Sequence, residues 1–255
     1  MKSDDPSGGR GGEKIFAVIP CFNEEENIRE TLTGLLRAHP EIRVAAVNDG
    51  SADRTAEEIA ALNDDRIVLL ELPFNSGIGT AVETGLIYAF RNHADYAVKF
   101  DSDGQHLAEE IDLLLAPLRA GEADMAIGSR FIGGGADGFK STLMRRIGIR
   151  FFQLLSWLLT GRAMSDSTSG FRAYNSRALA FAAKYYPSFD YPGPEENILM
   201  LHNRFRLKEV PCRMNVRQGG SSSIRPIKAV YYMIKVSLAM IMAAARPVKR
   251  ERRRS

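Results

Sequence analysis

The sequence contains few of the residues that build disulfide frameworks or zinc sites. Its 255 residues include two cysteines, Cys21 and Cys212, and four histidines. The cysteines lie far apart and form neither a disulfide framework nor a metal-ligand pair, and the histidines show no zinc spacing. We therefore expect a protein of a reducing, cytoplasmic compartment.

Long apolar runs and phosphate-binding glycine motifs are also missing. The first apolar run, Ile15 to Ile19, is too short for the h-region of a signal peptide, and residues 1–12 are predicted to form a disordered tail. No Walker loop occurs, and Val82 stands where a dinucleotide fingerprint beginning at Gly77 needs its third glycine. ATP and nicotinamide chemistry are therefore disfavoured.

The net charge of +3 is small and unevenly distributed. The last ten residues carry six arginine or lysine residues and one glutamate, which leaves a net charge of −2 on the rest of the chain. A slightly acidic body argues against a nucleic-acid partner. The basic tail, residues 247–255, follows an apolar segment, a pattern typical of binding to an anionic membrane surface. A nucleic-acid or solubilising role of the tail is the alternative.

Short apolar runs rich in β-formers alternate with helical patterns along the first half of the chain. Strands are predicted at 14–19, 43–47, 66–71, 96–100 and 124–127, and helices at 24–37, 54–62, 77–91 and 108–118. This alternation predicts an α/β fold with a single, mostly parallel, doubly wound sheet. We expect a catalytic domain at residues 13–224 and an amphipathic helix at 225–246.

Polar motifs follow four of the predicted strands. In doubly wound folds the carboxyl ends of the strands form the ligand-binding crevice. Each motif alone is also typical of a turn or a helix cap, but their common position predicts one site. The four are Pro20-Cys21-Phe22-Asn23-Glu24-Glu25, Asn48-Asp49-Gly50-Ser51, Asn75-Ser76-Gly77-Ile78-Gly79 and Asp101-Ser102-Asp103-Gly104-Gln105-His106.

Asp101 and Asp103 are two carboxylates separated by one residue at the end of an apolar strand. Hard oxygen ligands select Mg²⁺ or Mn²⁺, and such a cation would bridge the diphosphate of a nucleotide donor and neutralise its developing charge. An EF-hand loop is excluded, because its glycine and its final glutamate are replaced by His106 and Asp112. An acidic turn that caps the next helix is the alternative.

Together these motifs resemble the family 2 glycosyltransferases, and among them the polyprenyl-phosphate sugar transferases of the dolichyl-phosphate mannose synthase type. The resemblance covers residues 14–224 and includes two further motifs, Gly128-Ser129-Arg130 and the segment Asp166 to Arg172. It implies a glycosyltransferase A-type fold, a nucleotide-sugar donor and a divalent cation, Mg²⁺ or Mn²⁺. The choice between UDP- and GDP-sugars remains open.

The resemblance also implies roles for individual residues. Asp101 and Asp103 match a metal-binding motif, and Gln105 stands where the family has a further ligand near the metal. Asp166 and Glu195 are the remaining catalytic candidates, on the acceptor side, although Glu195 also stands at a helix start, where acids are favoured in any case. Nucleotide-sugar binding is expected of Pro20, Phe22, Glu24, Asp49, Asn75, Gly77, Ser102, Asp103 and Arg130.

Two classes of acceptor make different demands on the site. A sugar hydroxyl on a glycan or glycolipid needs a general base, for which Asp166 and Glu195 are the candidates. A phosphate monoester is already ionised near neutral pH and needs cations instead. We expect inverting transfer to a polyprenyl phosphate, and the candidates for binding its phosphate are Lys140, Arg145, Arg146, Arg217 and Ser221. A sugar-phosphate nucleotidyltransferase and a non-catalytic binding module are the weaker alternatives.

The last apolar segment, residues 226–245, is amphipathic. Lys228 and Lys235 share one face of a helix, and Val230, Ile234, Leu238 and Ile241 lie on another. This pattern favours a helix that lies at a membrane interface over one that spans the bilayer. We therefore expect peripheral association with the cytoplasmic face of the membrane. Packing on the catalytic domain or formation of a homo-oligomer is the alternative.

Overall fold

The computed structural model describes residues 12–132, 143–187, 193–215 and 226–246. Residues 1–11 of the predicted tail at 1–12, the basic tail at 247–255, and Lys140, Arg217 and Ser221 lie outside the described residues. The strands are β1 (Ile15–Cys21), β2 (Arg43–Asn48), β3 (Ile67–Glu71), β4 (Tyr96–Lys99), β5 (Met125–Ser129), β6 (Arg172–Asn175) and β7 (Leu207–Pro211). The helices are α1 (Ile28–Ala38), α2 (Thr55–Ala60), α3 (Ile78–Arg91), α4 (Ile111–Arg119), α5 (Leu143–Thr160), α6 (Ser176–Tyr185), α7 (Gly193–His202) and α8 (Pro226–Ala245).

Seven strands form one sheet in the order β3-β2-β1-β4-β6-β5-β7. The pairs β3–β2, β2–β1, β1–β4 and β5–β7 are parallel, whereas β6 runs antiparallel to both of its neighbours. The prediction of a mostly parallel α/β sheet is confirmed. The strand order reverses beside β1, which lies between β2 and β4, so the crevice of the sheet opens above these strands.

Two apolar clusters cover the two faces of the sheet. Alternate residues of β1 point to opposite faces, so Ile15, Ala17 and Ile19 pack with α1 and α4, while Phe16 and Val18 pack with α3 and α6. Every residue of β1 is buried, as expected of a central strand with helices on both faces. The central strand is therefore rigidly held, and the loop that follows it starts from a fixed point.

The predicted helix at 24–37 begins later, at Ile28. The amides of Asn27 and Ile28 both donate to the carbonyl oxygen of Glu24, so a turn precedes the helix. The amide of Glu24 donates to the side chain of Thr55 in α2, and the amide of Glu25 donates to that of Asp53 in the loop after β2. Tertiary hydrogen bonds thus override the local helical pattern. The predicted start at 108 is also early, because residues 108–110 form a 3-10 turn before α4.

The C-terminal helix α8 packs on α5 and α7 through a third, smaller cluster. Phe152 of α5 and Ile198 of α7 contact the buried Val236, Met240 and Ala243 of α8. The apolar face predicted from the sequence is a different one, and its large side chains are exposed: Ile234, Leu238 and Ile241. No helix within the described residues is long and apolar enough to cross a membrane.

Candidate active site

The loops that follow β1 and β2 are joined at the carboxyl edge of the sheet. The backbone amide of Asn23 donates to Ser51 Oγ over 3.0 Å, and Asn23 Oδ1 accepts from the amide of Ala52 over 2.9 Å. Asn23 has a φ of 54°, in the left-handed region that asparagine tolerates better than most residues. The exposed ring of Phe22 lies beside this junction in the chain. The first two polar motifs therefore form one surface.

The carboxylate of Asp49 joins the loop after β2 to the loop after β3. It is buried and accepts hydrogen bonds from the backbone amides of Ser76 (2.7 Å) and Gly77 (2.9 Å). Gly50, with a φ of 65°, lets the two loops meet, because a Cβ there would lie 2.5 Å from the carbonyl carbon of Phe74. Asp49 therefore shapes the crevice through the backbone, and both of its oxygens accept hydrogen bonds from the chain.

Three further candidate residues hold these loops in place. Ser102 Oγ donates to the carbonyl oxygen of Pro20 over 3.0 Å, which links the loop after β4 to β1. The amide of Glu24 donates to the first residue of α2. The side-chain oxygen of Asn75 accepts from the amide of Gly77. Four strand-end motifs thus meet at one edge of the sheet.

Asp101 and Asp103 lie in the loop after β4, at the middle of this edge. Both oxygens of Asp103 accept hydrogen bonds from Gln105, one from its backbone amide (3.1 Å) and one from its side-chain Nε2 (2.9 Å). Gln105 thus supports Asp103 from within the loop. Within the described residues, no group of three or more His, Cys, Asp or Glu side chains forms a complete metal site. The two carboxylates supply hard oxygen atoms that fit Mg²⁺ or Mn²⁺, and further ligands would have to come from a bound substrate.

His106 positions Asp101, a role that the sequence did not reveal. The amide of Asp101 donates to Nδ1 of His106 (2.9 Å), and Nε2 lies 3.4 Å from Asp101 Oδ2. The imidazole stacks on Phe171 with ring centroids 4.5 Å apart. Burial lowers the pKa of His106, although the negative charge of Asp101 raises it in part. The neutral ring accepts at Nδ1 and carries its proton on Nε2, toward the carboxylate.

Arg130 and Asp166 form a bidentate ion pair on the other side of the edge. Arg130 Nε lies 2.7 Å from Asp166 Oδ2, and Arg130 Nη2 lies 2.8 Å from Oδ1. The Asp166 side chain is fully buried and that of Arg130 is 14% exposed. Burial lowers the pKa of Arg130, but the hydrogen bond and charge of Asp166 raise it more. The carboxylate of Asp166 is therefore neutralised by a cation that faces the crevice.

A second buried ion pair holds the loop that carries Asp166. Arg172 and Glu196 are each 1% exposed, and Arg172 Nη1 lies 2.7 Å from Glu196 Oε2. Arg172 also donates to the carbonyl oxygens of Ser169 and Gly193, which ties this loop to the start of α7. Glu195, the acid singled out in the sequence, is also buried. Glu196, not Glu195, is thus the partner of Arg172.

The remaining candidates for acceptor binding are only partly described. Arg145 and Arg146 fall in the first turn of α5, where the structure describes the helical backbone alone. Lys140, Arg217 and Ser221 lie outside the described residues. Among the described candidates, the structure therefore brings together Asp101, Asp103 and Gln105 on one side and Arg130 with Asp166 on the other.

Comparison with known proteins identifies the family of this chain. Residues 16–181 match the family described as Glycosyl transferase family 2. The polyprenol monophosphomannose synthase of Mycolicibacterium smegmatis is 30% identical over 244 residues, which cover 92% of this chain and 89% of that protein. The UDP-N-acetylglucosamine–dolichyl-phosphate N-acetylglucosaminyltransferase of Methanococcus voltae is 28% identical over 215 residues, which cover 78% of this chain and 84% of that protein.

Solved structures show the same fold. The glucosyl-3-phosphoglycerate synthase of Mycobacterium tuberculosis, solved in complex with Mn²⁺, UDP and phosphoglyceric acid, superposes with a TM-score of 0.64 at 18% identity. The match covers 93% of this chain and 80% of that one. The family match spans more than half of the chain. This chain therefore belongs to glycosyltransferase family 2, as a hexosyltransferase that resembles the polyprenyl-phosphate sugar transferases.

Proposed function

We propose that this glycosyltransferase transfers a sugar, with inversion, from a nucleotide-sugar donor to a polyprenyl phosphate. The observation that carries the proposal is the ion pair of Arg130 with Asp166. Both oxygens of Asp166 accept hydrogen bonds from Arg130, so this carboxylate holds a cation in place. The acceptor side of the crevice thus presents a cation, which is what a phosphate nucleophile needs.

The attacking phosphate needs no base of its own. A phosphate monoester has its second pKa near ~6 and is largely a dianion at neutral pH, so its oxygen attacks without giving up a proton. Asp166 orients Arg130 by accepting from Nε and Nη2, so the guanidinium would meet a phosphate through its charge and not through this fork of donors. Lys140, Arg145, Arg146, Arg217 and Ser221 complete the proposed phosphate site.

A hydroxyl acceptor is the alternative, and it would require Glu195 to act as the general base. Glu195 is buried in the first turn of α7, beside the Glu196 that pairs with Arg172. The two relatives are named as a polyprenol monophosphomannose synthase and a dolichyl-phosphate N-acetylglucosaminyltransferase, and these names favour the phosphate acceptor.

Asp101 and Asp103 would hold the divalent cation, Mg²⁺ or Mn²⁺. When bound, such a cation neutralises the negative charge that develops on the departing diphosphate. His106 keeps Asp101 oriented toward the crevice, and Gln105 keeps Asp103 in place. The nucleoside would lie over β1 to β3, among Pro20, Phe22, Glu24, Asp49, Asn75 and Gly77.

Association with the membrane surface is part of the same proposal. The helices α5 and α8 pack together, and both expose large apolar side chains: Phe151, Leu154, Trp157 and Leu158 on α5, and Ile234, Leu238, Ile241 and Met242 on α8. The basic segment 247–255 follows α8 in the sequence. Apolar side chains with neighbouring cations suit a surface of anionic lipid, where a polyprenyl phosphate resides.

The experiment supplies the purified protein and Mn²⁺ with labelled UDP- and GDP-sugars, with and without polyprenyl phosphate. Label should become extractable into organic solvent only when polyprenyl phosphate is present. Label that enters a water-soluble glycan would favour the hydroxyl acceptor. Donor that binds without being consumed by either acceptor would favour a binding module, and the proposal would then be wrong.

A further inference from the structure

Lys99 is a buried cation beside the metal-binding loop. It is the last residue of β4, two positions before Asp101, and is 7% exposed. Its ammonium group makes no hydrogen bond or ion pair with any other described residue. Burial of an amine without a partner is costly, since the charged form loses its hydration. A cation in this position is stabilised when a ligand supplies oxygen atoms.

The Lys99 ammonium and the Asp101 carboxylate face the same small space, which Gly170 leaves open. A Cβ at Gly170 would lie 3.3 Å from Lys99 Nζ and 2.9 Å from Asp101 Oδ2. Any larger residue at 170 would fill this space. The two charged groups therefore border one gap at the junction of β4 with the loop before β6.

The cation opposite Lys99 is already neutralised. Arg172 of β6 is the register partner of Lys99, so the two cations stand side by side on neighbouring strands. Glu196 forms a buried ion pair with Arg172, and backbone carbonyls take up its other donors. Glu196 is therefore engaged with Arg172 and does not neutralise Lys99.

The order of the strands places the gap between the donor and the acceptor. The loops of β1 to β3 form the nucleoside side, the carboxylates after β4 mark the diphosphate, and Arg130 after β5 marks the acceptor phosphate. Nucleoside, diphosphate, sugar and acceptor must lie in this order, because the bond that breaks and the bond that forms are both at the anomeric carbon of the sugar. The sugar therefore falls above the junction of β4 and β6, where Lys99 and Gly170 lie.

We propose that Lys99 binds the sugar of the nucleotide donor, by donating hydrogen bonds to its oxygen atoms, and so determines which sugar is accepted. This inference rests on the proposed use of a nucleotide sugar, but it does not depend on the acceptor. An ammonium group donates and does not accept. Lys99 is therefore matched to a sugar that presents hydroxyl or carboxylate oxygens toward β4.

The test compares the affinities of a nucleoside diphosphate and its nucleotide sugar at equilibrium, in the presence of Mn²⁺ and without acceptor. The probes are UDP against UDP-N-acetylglucosamine and GDP against GDP-mannose, measured by calorimetry on the full chain. Lys99→Met should weaken binding of the nucleotide sugar about tenfold, the cost of one hydrogen bond to a charged group. The affinity for the nucleoside diphosphate should not change.

Three further variants control the experiment. Lys99→Arg keeps the charge and should recover part of the affinity for the nucleotide sugar. If Lys99 had a purely structural role, its replacement would change the affinities for the nucleotide sugar and the nucleoside diphosphate alike. Lys208→Met removes a lysine on β7 that pairs with Glu122, and should change neither affinity. If Lys99→Met does not fold, as judged by circular dichroism, Lys99→Gln carries the same comparison.

Equal weakening of both ligands, or weakening of neither, would overturn the assignment of Lys99 to the sugar. Failure of the acceptor proposal would give a different result. The wild-type protein would not transfer sugar to polyprenyl phosphate, but Lys99→Met would still bind the nucleotide sugar more weakly than the wild-type protein does. Failure of the donor proposal would appear as no binding of either nucleotide sugar by the wild-type protein, and would overturn both proposals.

Discussion

The carboxylate of Asp166 is held against the guanidinium of Arg130 by two hydrogen bonds of 2.7 and 2.8 Å, across 36 residues of sequence. In this pair the buried carboxylate of Asp166 supports a cation. The carboxylate of Glu209 accepts hydrogen bonds from the amides of Ser165 and Asp166, so the loop is fixed from the opposite side. Arg130 therefore enters the crevice with a defined orientation.

Asp166→Asn should raise the KM for polyprenyl phosphate and leave the shape of the pH–rate profile unchanged. Asparagine keeps the size of the side chain but removes the charge that orients Arg130, at a cost of about 3 kcal/mol for a broken buried pair. Steady-state kinetics across a range of pH values measures both effects.

The matched control is Asp124→Asn, which removes another buried acid from its ion pairs with Arg177 and Arg206, away from the crevice. It should lower stability and leave the KM for the acceptor unchanged. Disappearance of the acid limb of the profile in Asp166→Asn alone would identify Asp166 as a base and would contradict the proposed role.

Asp101→Asn and Asp103→Asn should each lower kcat/KM by a factor of about 10³, as expected when several kcal/mol of charge stabilisation on the leaving diphosphate are lost. Calorimetric titration with Mn²⁺ in the presence of a nucleoside diphosphate should show loss of metal binding. Asp112→Asn, at an exposed acid of α4, is the control and should behave as the wild-type protein. Transfer that continues with normal Mn²⁺ dependence in both variants would exclude these carboxylates as the metal ligands.

The free energy of unfolding should depend on Asp124 at acid pH. Burial raises the pKa of Asp124, but hydrogen bonds from Arg206 and Asn175 and the charge of Arg177 lower it to about 2, below the ordinary 3.8. As the pH falls, the unfolded chain therefore takes up this proton before the folded protein does. The stabilisation by ionised Asp124 is complete above pH 3.8 and is lost as the pH falls toward 2.

The difference in pKa corresponds to about 2 kcal/mol at neutral pH. Above pH 3.8, the free energy of unfolding of Asp124→Asn should be lower than that of the wild-type protein by that amount. The two free energies should converge at lower pH. Urea unfolding at a series of pH values measures this convergence. A constant difference at every pH would show that the loss arises from packing and not from the charge.

Leu158→Gln and Leu238→Gln should each weaken binding to vesicles that contain anionic phospholipid by about tenfold, the free energy of removing one exposed leucine from contact with lipid. Leu158 lies on the exposed face of α5 and Leu238 on that of α8. Co-sedimentation with vesicles measures the binding, and transfer to a short-chain acceptor in detergent should be unchanged. Leu113→Gln, at an exposed leucine of α4, is the control. Equal loss in all three variants would show that no particular face binds the membrane.

Much of the fold could be predicted from local pattern. The first five strands are short apolar runs followed by polar turns, and each appears in the structure within a few residues of its predicted bounds. Strands β6 and β7 could not be predicted in this way. Arg172 to Asn175 is four residues long and carries a buried arginine, and Leu207 to Pro211 has only two buried residues, Leu207 and Val210, among its five. Neither segment shows a long apolar run.

Lys99 is the residue for which the sequence did contain a signal. It follows Ala97 and Val98 and precedes Phe100 within a strand that is otherwise buried, and a lysine there needs a partner or a ligand. What the pattern did not reveal was the identity of its neighbours. Those neighbours are Arg172 of β6, a strand that was not predicted, and Gly170 of the loop before it.

The sequence by itself determined the alternation of strands and helices and the four polar motifs at strand ends, because these are local properties of the chain. Only the tertiary structure decided that Asp166 pairs with Arg130, that Glu196 pairs with Arg172, and that Lys99 borders the same gap as Asp101. The physical reason is the placement of β6. It runs antiparallel between β4 and β5, and it brings the loop at Asp166 to Gly170 against both the loop after β4 and Arg130.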